Sequence, residues 1–437
     1  MGAAYWSIGC DRREYVDRRT ITFRHGSELR RRIASGPGRG RSVIVVTAVT
    51  AIGLLAVGTL SQLYGFRLGG TIAIPVLAVY TLKNVLMLPI FLLSTVLAYV
   101  GLRVVKDQTL AYGRDELLVA MTIGSLVPLG LLLLLTELLP SSLRSVVFIG
   151  SILPGLAAYN YHQLKPGFRL RDAGVASALL IGLLALGWLL ISPSLRPVIG
   201  TLTPPALYAT TADVAAFKGA AVSATPEPTI FERPIAVGLF VIGVVLSERV
   251  RARYGLRIGL MAMALLAVYA LANVWLLFLY AVTLAVAYAF LQTLHRETML
   301  YGRVTISVTT AVAVVLVVPL VLVTPVTRGL SAYFVGILAG INAYNWHTAH
   351  PARRLDVPLL KLGTFAVLLI VARGAVALVP EAGRVLPMGV PSKFGPLTVV
   401  AGLFVAAVAY GLVERRIVEK PSTDDVFESS ILSGGER

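Results

Sequence analysis

Two short blocks, each present twice, hold the side chains best suited to chemistry in this chain. Tyr112-Gly113-Arg114 recurs as Tyr301-Gly302-Arg303, and Ala158-Tyr159-Asn160-Tyr161-His162 recurs as Ala343-Tyr344-Asn345-Trp346-His347. Glycine accepts the left-handed backbone of a tight turn, and arginine presents a planar fork that matches a carboxylate. Arg114 and Arg303 therefore suit an anionic ligand or an acidic protein face. The same residues also describe an ordinary helix end at a membrane interface, with a tyrosine anchor and a cytoplasmic arginine, and that reading is the simpler one. Asn160, His162, Asn345 and His347 are polar groups on otherwise small-residue segments, where an apolar setting obliges them to find hydrogen-bond partners. His347 and His350 have a metal-like spacing, but the first block carries Lys165 at the matching place. Two imidazoles without a supporting carboxylate or thiolate make a poor metal centre, so neither metal nor cofactor is expected.

Bond-making machinery is missing from the sequence. It contains no phosphate loop, no His-Glu-x-x-His pair and no nucleophile elbow. Cys10, the single cysteine, permits no internal disulfide. Among the carboxylates inside apolar segments, Glu137 and Glu248 both stand close enough to a segment end to reach the interface. The stretch from Ile149 to Gly155 is different. Pro154 and Gly155 predict a kink or break there, and non-helical backbone at membrane depth is tolerated only where it is buried or lines a cavity.

The elements that must position these residues are membrane-spanning helices. Of 437 residues, 57% are hydrophobic and 14% charged, where soluble proteins carry roughly 25% charged residues. Apolar runs such as Val43–Leu63, Leu117–Leu135 and Val304–Val323 are each long enough to cross a hydrocarbon core of about 30 Å. The expected fold class is an all-α polytopic membrane protein with about thirteen spans, near 43–63, 70–83, 85–105, 117–138, 146–161, 173–191, 235–250, 258–274, 275–294, 304–326, 330–346, 357–379 and 394–413. Residues 192–234, rich in Pro, Thr and Ala, read as an extramembrane linker, and 414–437 as a polar tail. The net charge of +17 does not point to nucleic acid. Ten of the basic residues are arginines within residues 1–41, and most others sit in short loops, with no basic groove interleaved with aromatics.

Further repeated blocks extend the pattern. Tyr64-Gly65-Phe66-Arg67 returns as Tyr254-Gly255-Leu256-Arg257, and Ala78–Val85 returns as Ala267–Val274. The four offsets are nearly constant and keep one order, which is the signature of a duplication. The chain divides accordingly into a tail (1–41), a first six-helix unit (43–191), the linker, a second six-helix unit (235–379), an extra helix (394–413) and the C-terminal tail. Six spans per unit predict parallel repeats set the same way up. Arg103, Lys106, Arg114, Lys165, Arg169 and Arg171 are matched with Arg296, Arg303, Arg353, Arg354 and Lys361, so the basic loops gather on one side, which the positive-inside rule makes cytoplasmic. That places the C-terminus in the cytoplasm and the arginine-rich residues 1–41 outside. The conflict with the same rule leaves three readings: a miscounted span, a tail that translocates regardless of its charge, or, by a small preference, residues 1–41 preceding the native start.

These blocks, with Ser247-Glu248-Arg249 after an apolar span and Leu153-Pro154-Gly155-Leu156-Ala157 in a late one, resemble the PgsC/CapC family, the membrane subunit of poly-γ-glutamate synthase complexes. Members are about one unit long, so residues 43–379 resemble two fused copies. The resemblance implies a non-catalytic subunit of the cell membrane, surrounded by lipid. It would work with a separate ATP-dependent ligase and a polyglutamate polymer. Tyr112, Arg114, Tyr301, Arg303, Pro154, Gly155, Asn160, His162, Asn345 and His347 are then the candidate contacts for polymer or ligase. Two rivals stand beside it: a secondary transporter built from a duplicated bundle, and a multi-span scaffold of the transglutaminase-associated kind, for which Gly70–Val76 offers a partial likeness.

Overall fold

A computed structural model describes residues 43–109, 113–138, 152–197, 206–222, 395–418 and 233–377, the last without 257, 272, 299, 301 and 327. Each of the thirteen expected spans coincides with a helix. In the first unit these are α1 (Val43–Tyr64), α2 (Ala73–Lys83), α3 (Met87–Gln108), α4 (Arg114–Leu138), α5 (Ile152–His162) and α6 (Pro166–Leu190). A short α7 (Asp213–Phe217) lies in the linker. The second unit holds α8 (Arg233–Tyr254), α9 (Gly259–Ala270), α10 (Val274–Thr298), α11 (Arg303–Val323), α12 (Gly329–His347) and α13 (Asp356–Ala377), followed by α14 (Pro396–Val418). Seven of these helices are long and apolar enough to cross a membrane. Among the described residues the only extended pairing is an isolated bridge between Ala209 and Val222. The protein is an all-α polytopic membrane protein.

The helices of the two units pair off in order, and so do their contacts. In the first unit α3, α4 and α5 pack together, while α1, α2 and α6 form a second group; in the second unit α10, α11 and α12 do the same, as do α8, α9 and α13. The join between units is reciprocal. Helix α1 packs on α11 and α8 packs on α4, the first contact being much the more extensive. Each unit thus lends its first helix to the fourth helix of the other, as in a two-fold dimer. The largest hydrophobic core accordingly crosses units, with Val46, Leu54 and Val79 beside Val314, Leu330 and Tyr333. Within it the Thr50 hydroxyl donates to the Tyr333 hydroxyl at 2.9 Å, satisfying two groups that lipid cannot.

Polar contacts fix which ends lie together. Gln163 at the end of α5 reaches Glu116 at the start of α4, and Arg303 at the start of α11 reaches Asn160 near the end of α5. The Arg114 and Arg303 turns therefore share one end of the bundle. Arg416 of α14 reaches Asp356 at the start of α13, so the last helix finishes at the starting end of α13.

Two expectations change. The linker is not a loose spacer throughout, because Leu207, Tyr208, Val214 and Ala215 join the main core. Tyr208 donates to the Leu190 carbonyl (2.7 Å), Lys218 to the Trp188 carbonyl (2.6 Å), and Asp213 accepts from the Val85 amide (2.9 Å). Lys361, matched above to a loop cation, lies inside α13 and is 7% exposed. The residue equivalent to Arg169 is Arg354: each guanidinium takes two carbonyls at the end of the preceding helix, those of His162 and Leu164 in one unit and of His347 and Ala349 in the other. Residues 1–42, which include the arginine-rich tail, fall outside the described residues, as do 378–394.

Candidate functional site

The turns that carry the arginines have the backbone their sequence requires. Gly113 (φ 62°) and Gly302 (φ 75°) both adopt the left-handed conformation, which costs a β-carbon-bearing residue about 1 kcal/mol or more. Tyr112 and Tyr301 lie outside the described residues, and Arg114 is placed only by its backbone at the start of α4. Arg303 is fully defined. Its Nη2 donates to Asn160 Oδ1 at 3.1 Å, so two predicted residues from different units meet at the join. Asn160 is buried and also donates from Nδ2 to the Leu156 carbonyl (2.8 Å), which fixes its amide orientation. Asn345 holds the equivalent position in α12 and is half-buried.

Next to this pair the chain leaves α1 through an irregular loop, residues 65–72, before the short α2. Eleven residues rise only about 16 Å, half a bilayer. Leu68 in the loop is buried with φ 50°, a conformation that non-glycine residues rarely hold. Asp172 of α6, 1% exposed, holds it: Oδ1 accepts the Arg67 amide (2.7 Å) and both oxygens accept the Leu68 amide (3.1 Å each). The charges of Asp172 and Arg67 both act on Arg303. Asp172 was missed because an Arg-Asp pair at a helix start looks like interface decoration.

His162 belongs to a second cluster. Glu116, also 1% exposed, pairs through Oε1 with Lys106 Nζ (3.2 Å) and His162 Nδ1 (3.3 Å), and through Oε2 accepts Gln163 Nε2 (2.7 Å). Arg169 donates to the Tyr99 hydroxyl (2.9 Å) against the His162 ring. Glu116 had a readable signal, since Asp115-Glu116 follows Arg114 where the second unit has Val304-Thr305.

His347 has different company. Its ring stands 5.0 Å from His295 and 6.5 Å from Tyr288. His350 lies beyond the end of α12, so the His347/His350 spacing is not one helical face. Among the described residues no group of three potential ligands gathers for a metal. Pro154 and Gly155 are both buried within α5, while residues 149–151 of the expected break lie outside the described residues. A β-carbon on Gly155 would overlap the Ala120 carbonyl of α4. In the second unit one on Gly340 would stand 2.6 Å from Thr310 Cα. At this position two helices meet backbone to backbone in each unit, and it is buried.

Comparison with known families gives a match to the model described as Capsule biosynthesis CapC over residues 52–170. That segment runs from mid-α1 into the start of α6 and contains Glu116, Asn160, His162 and Arg169. Comparison with curated proteins and with solved structures found no match. Over residues 52–170, the first unit is therefore similar to the capsule-biosynthesis CapC family.

Proposed function

We propose that the chain is the integral membrane subunit of an assembly that makes or exports a γ-linked glutamate polymer or similar polyanion, beside a separate ATP-dependent ligase. The carrying observation is the CapC match over residues 52–170, from mid-α1 into the start of α6. The duplication reading supports it, because the second unit repeats the helix order and contacts of the first. On this reading the end bearing Arg103, Lys106, Lys165, Arg169 and Arg303 faces the cytoplasm, and its cations attract the acidic polymer or an acidic face of the ligase. The subunit itself makes no bond.

A transporter reading gains weight from one finding. Glu116, Asp172, Lys361 and Arg373 are all buried in the bundle, and buried ionisable groups mark substrate or ion pathways by default. Deletion of the gene separates the two readings. The polymer reading expects surface polyglutamate to vanish and the ligase to co-purify with the tagged chain. Unchanged polymer in the deletion strain would refute it in favour of transport.

A further inference from the structure

The second unit contains a buried polar cluster where the first is apolar. Lys361 of α13 lies five residues, about 8 Å, inside its helix. Its Nζ donates to the Tyr280 hydroxyl of α10 at 2.5 Å and stands 4.5 Å from the Tyr280 ring centroid. Asn342 of α12 donates to the same hydroxyl at 2.5 Å. Lys361 is 7% exposed, Tyr280 2% and Asn342 1%. By the offsets that relate the units, the first unit has Ala176, Phe91 and Ala157 at these places. The helix contacts are shared; the polar cluster is not.

The cluster consists almost wholly of donors. An ammonium carries three N–H groups, and one is used by Tyr280. Among the described residues neither of the other two, nor the phenol proton, has an acceptor within hydrogen-bond distance, and no carboxylate pairs with Lys361. The nearest acid on its own helix, Asp356, is already held by Arg353 (3.5 Å) and Arg416 (3.4 Å). Turning the Asn342 amide would satisfy the phenol but not the ammonium. A cation in a low-dielectric interior is costly unless paired, and the ring face compensates only part of that cost.

The geometry points to Lys361, Tyr280 and Asn342 as an occluded position for one carboxylate, which would take a side-group carboxylate of the polyanion in the second unit only. This rests on the polyanion reading above. One carboxylate oxygen would accept from the ammonium and the other from the phenol, completing the cluster.

The test uses the full chain in lipid nanodiscs and a short γ-linked glutamate oligomer, with its fully amidated counterpart as control. Calorimetry on wild type should show binding of the acid form only. Lys361→Met should weaken it roughly tenfold or more, as expected for loss of a charged hydrogen bond. Tyr280→Phe, which copies Phe91, should weaken it several-fold while leaving the fold of that position unchanged. Lys361→Met should not melt earlier than wild type, because removing an unpaired buried charge is stabilising. Binding by Lys361→Met equal to wild type, or no binding by wild type, would overturn the carboxylate position. Polymer output in the deletion strain judges the polyanion reading separately.

Discussion

The starting end of the first unit holds its polar groups in closed pairs, whereas the second unit keeps the same backbone and changes the chemistry. Glu116 binds Lys106, His162 and Gln163, and the equivalent residues Thr305, His295, His347 and Thr348 contain no carboxylate. Asp172 holds backbone amides of the loop after α1. In the second unit it is Arg353 that holds the corresponding backbone, through the Tyr254 carbonyl (2.5 Å), and Asp356 binds arginines. The reverse holds deeper in the bundle, where only the second unit has Lys361, Tyr280 and Asn342. Helix contacts constrain a duplicated bundle tightly, through positions such as Gly155 and Gly340. Polar clusters between those contacts are free to diverge.

The largest effect is expected where the units agree. Gly155→Leu and Gly340→Leu should each prevent stable assembly, since overpacking costs about 1–3 kcal/mol and here meets backbone, while Gly167→Ala, in open space, should melt as wild type. Comparable recovery of folded protein from all three, measured by fluorescence-detected size exclusion, would mean that these contacts do not hold each unit's helices together. Next comes Asp172→Ala, which strands the buried Leu68 amide and the part-buried Arg67 amide. Thermal unfolding in nanodiscs should fall by the equivalent of about 2–4 kcal/mol, against about 1 kcal/mol or less for the surface-side Asp213→Ala.

Smaller still is Glu116→Gln. It removes the charge that faces Lys106 and His162, a change expected to cost about 1–3 kcal/mol, whereas Thr305→Ala at the equivalent place should cost about 0.5 kcal/mol or less. Equal effects would erase the contrast between the units. The smallest is the coupling across the join: a double-mutant cycle of Arg303→Ala and Asn160→Ala should return about 1 kcal/mol, and zero coupling would place the two side chains apart.

Much of this was readable before any coordinates. Thirteen apolar segments became thirteen helices because in lipid an apolar run of that length has few alternatives to a helix. Gly113 and Gly302 declared their turns because glycine between a tyrosine anchor and an arginine has few other uses. What stayed hidden depends on which helix faces which. Lys361 was matched to the loop cations by repeat position alone, although the expected span 357–379 already contains it and α13 runs from Asp356. Gly155 looked like a break beside a proline, yet only the position of Ala120 on α4 reveals it as a packing contact. Glu116 and Asp172 sit near helix starts, where an acid is ordinary in sequence; their burial comes from α5 and from the loop after α1, neither of which a local pattern contains.

Everything turns on the two units standing the same way up, and cysteine accessibility tests that directly. In a Cys10→Ser background, single cysteines at Lys165 and His350, both exposed at the shared end, and at Ala216 on the linker cap would be labelled in intact cells with a membrane-impermeant maleimide. The account predicts labelling at 216 alone, with 165 and 350 reacting together only after the membrane is opened. Labelling of 165 and 350 from opposite faces would contradict it.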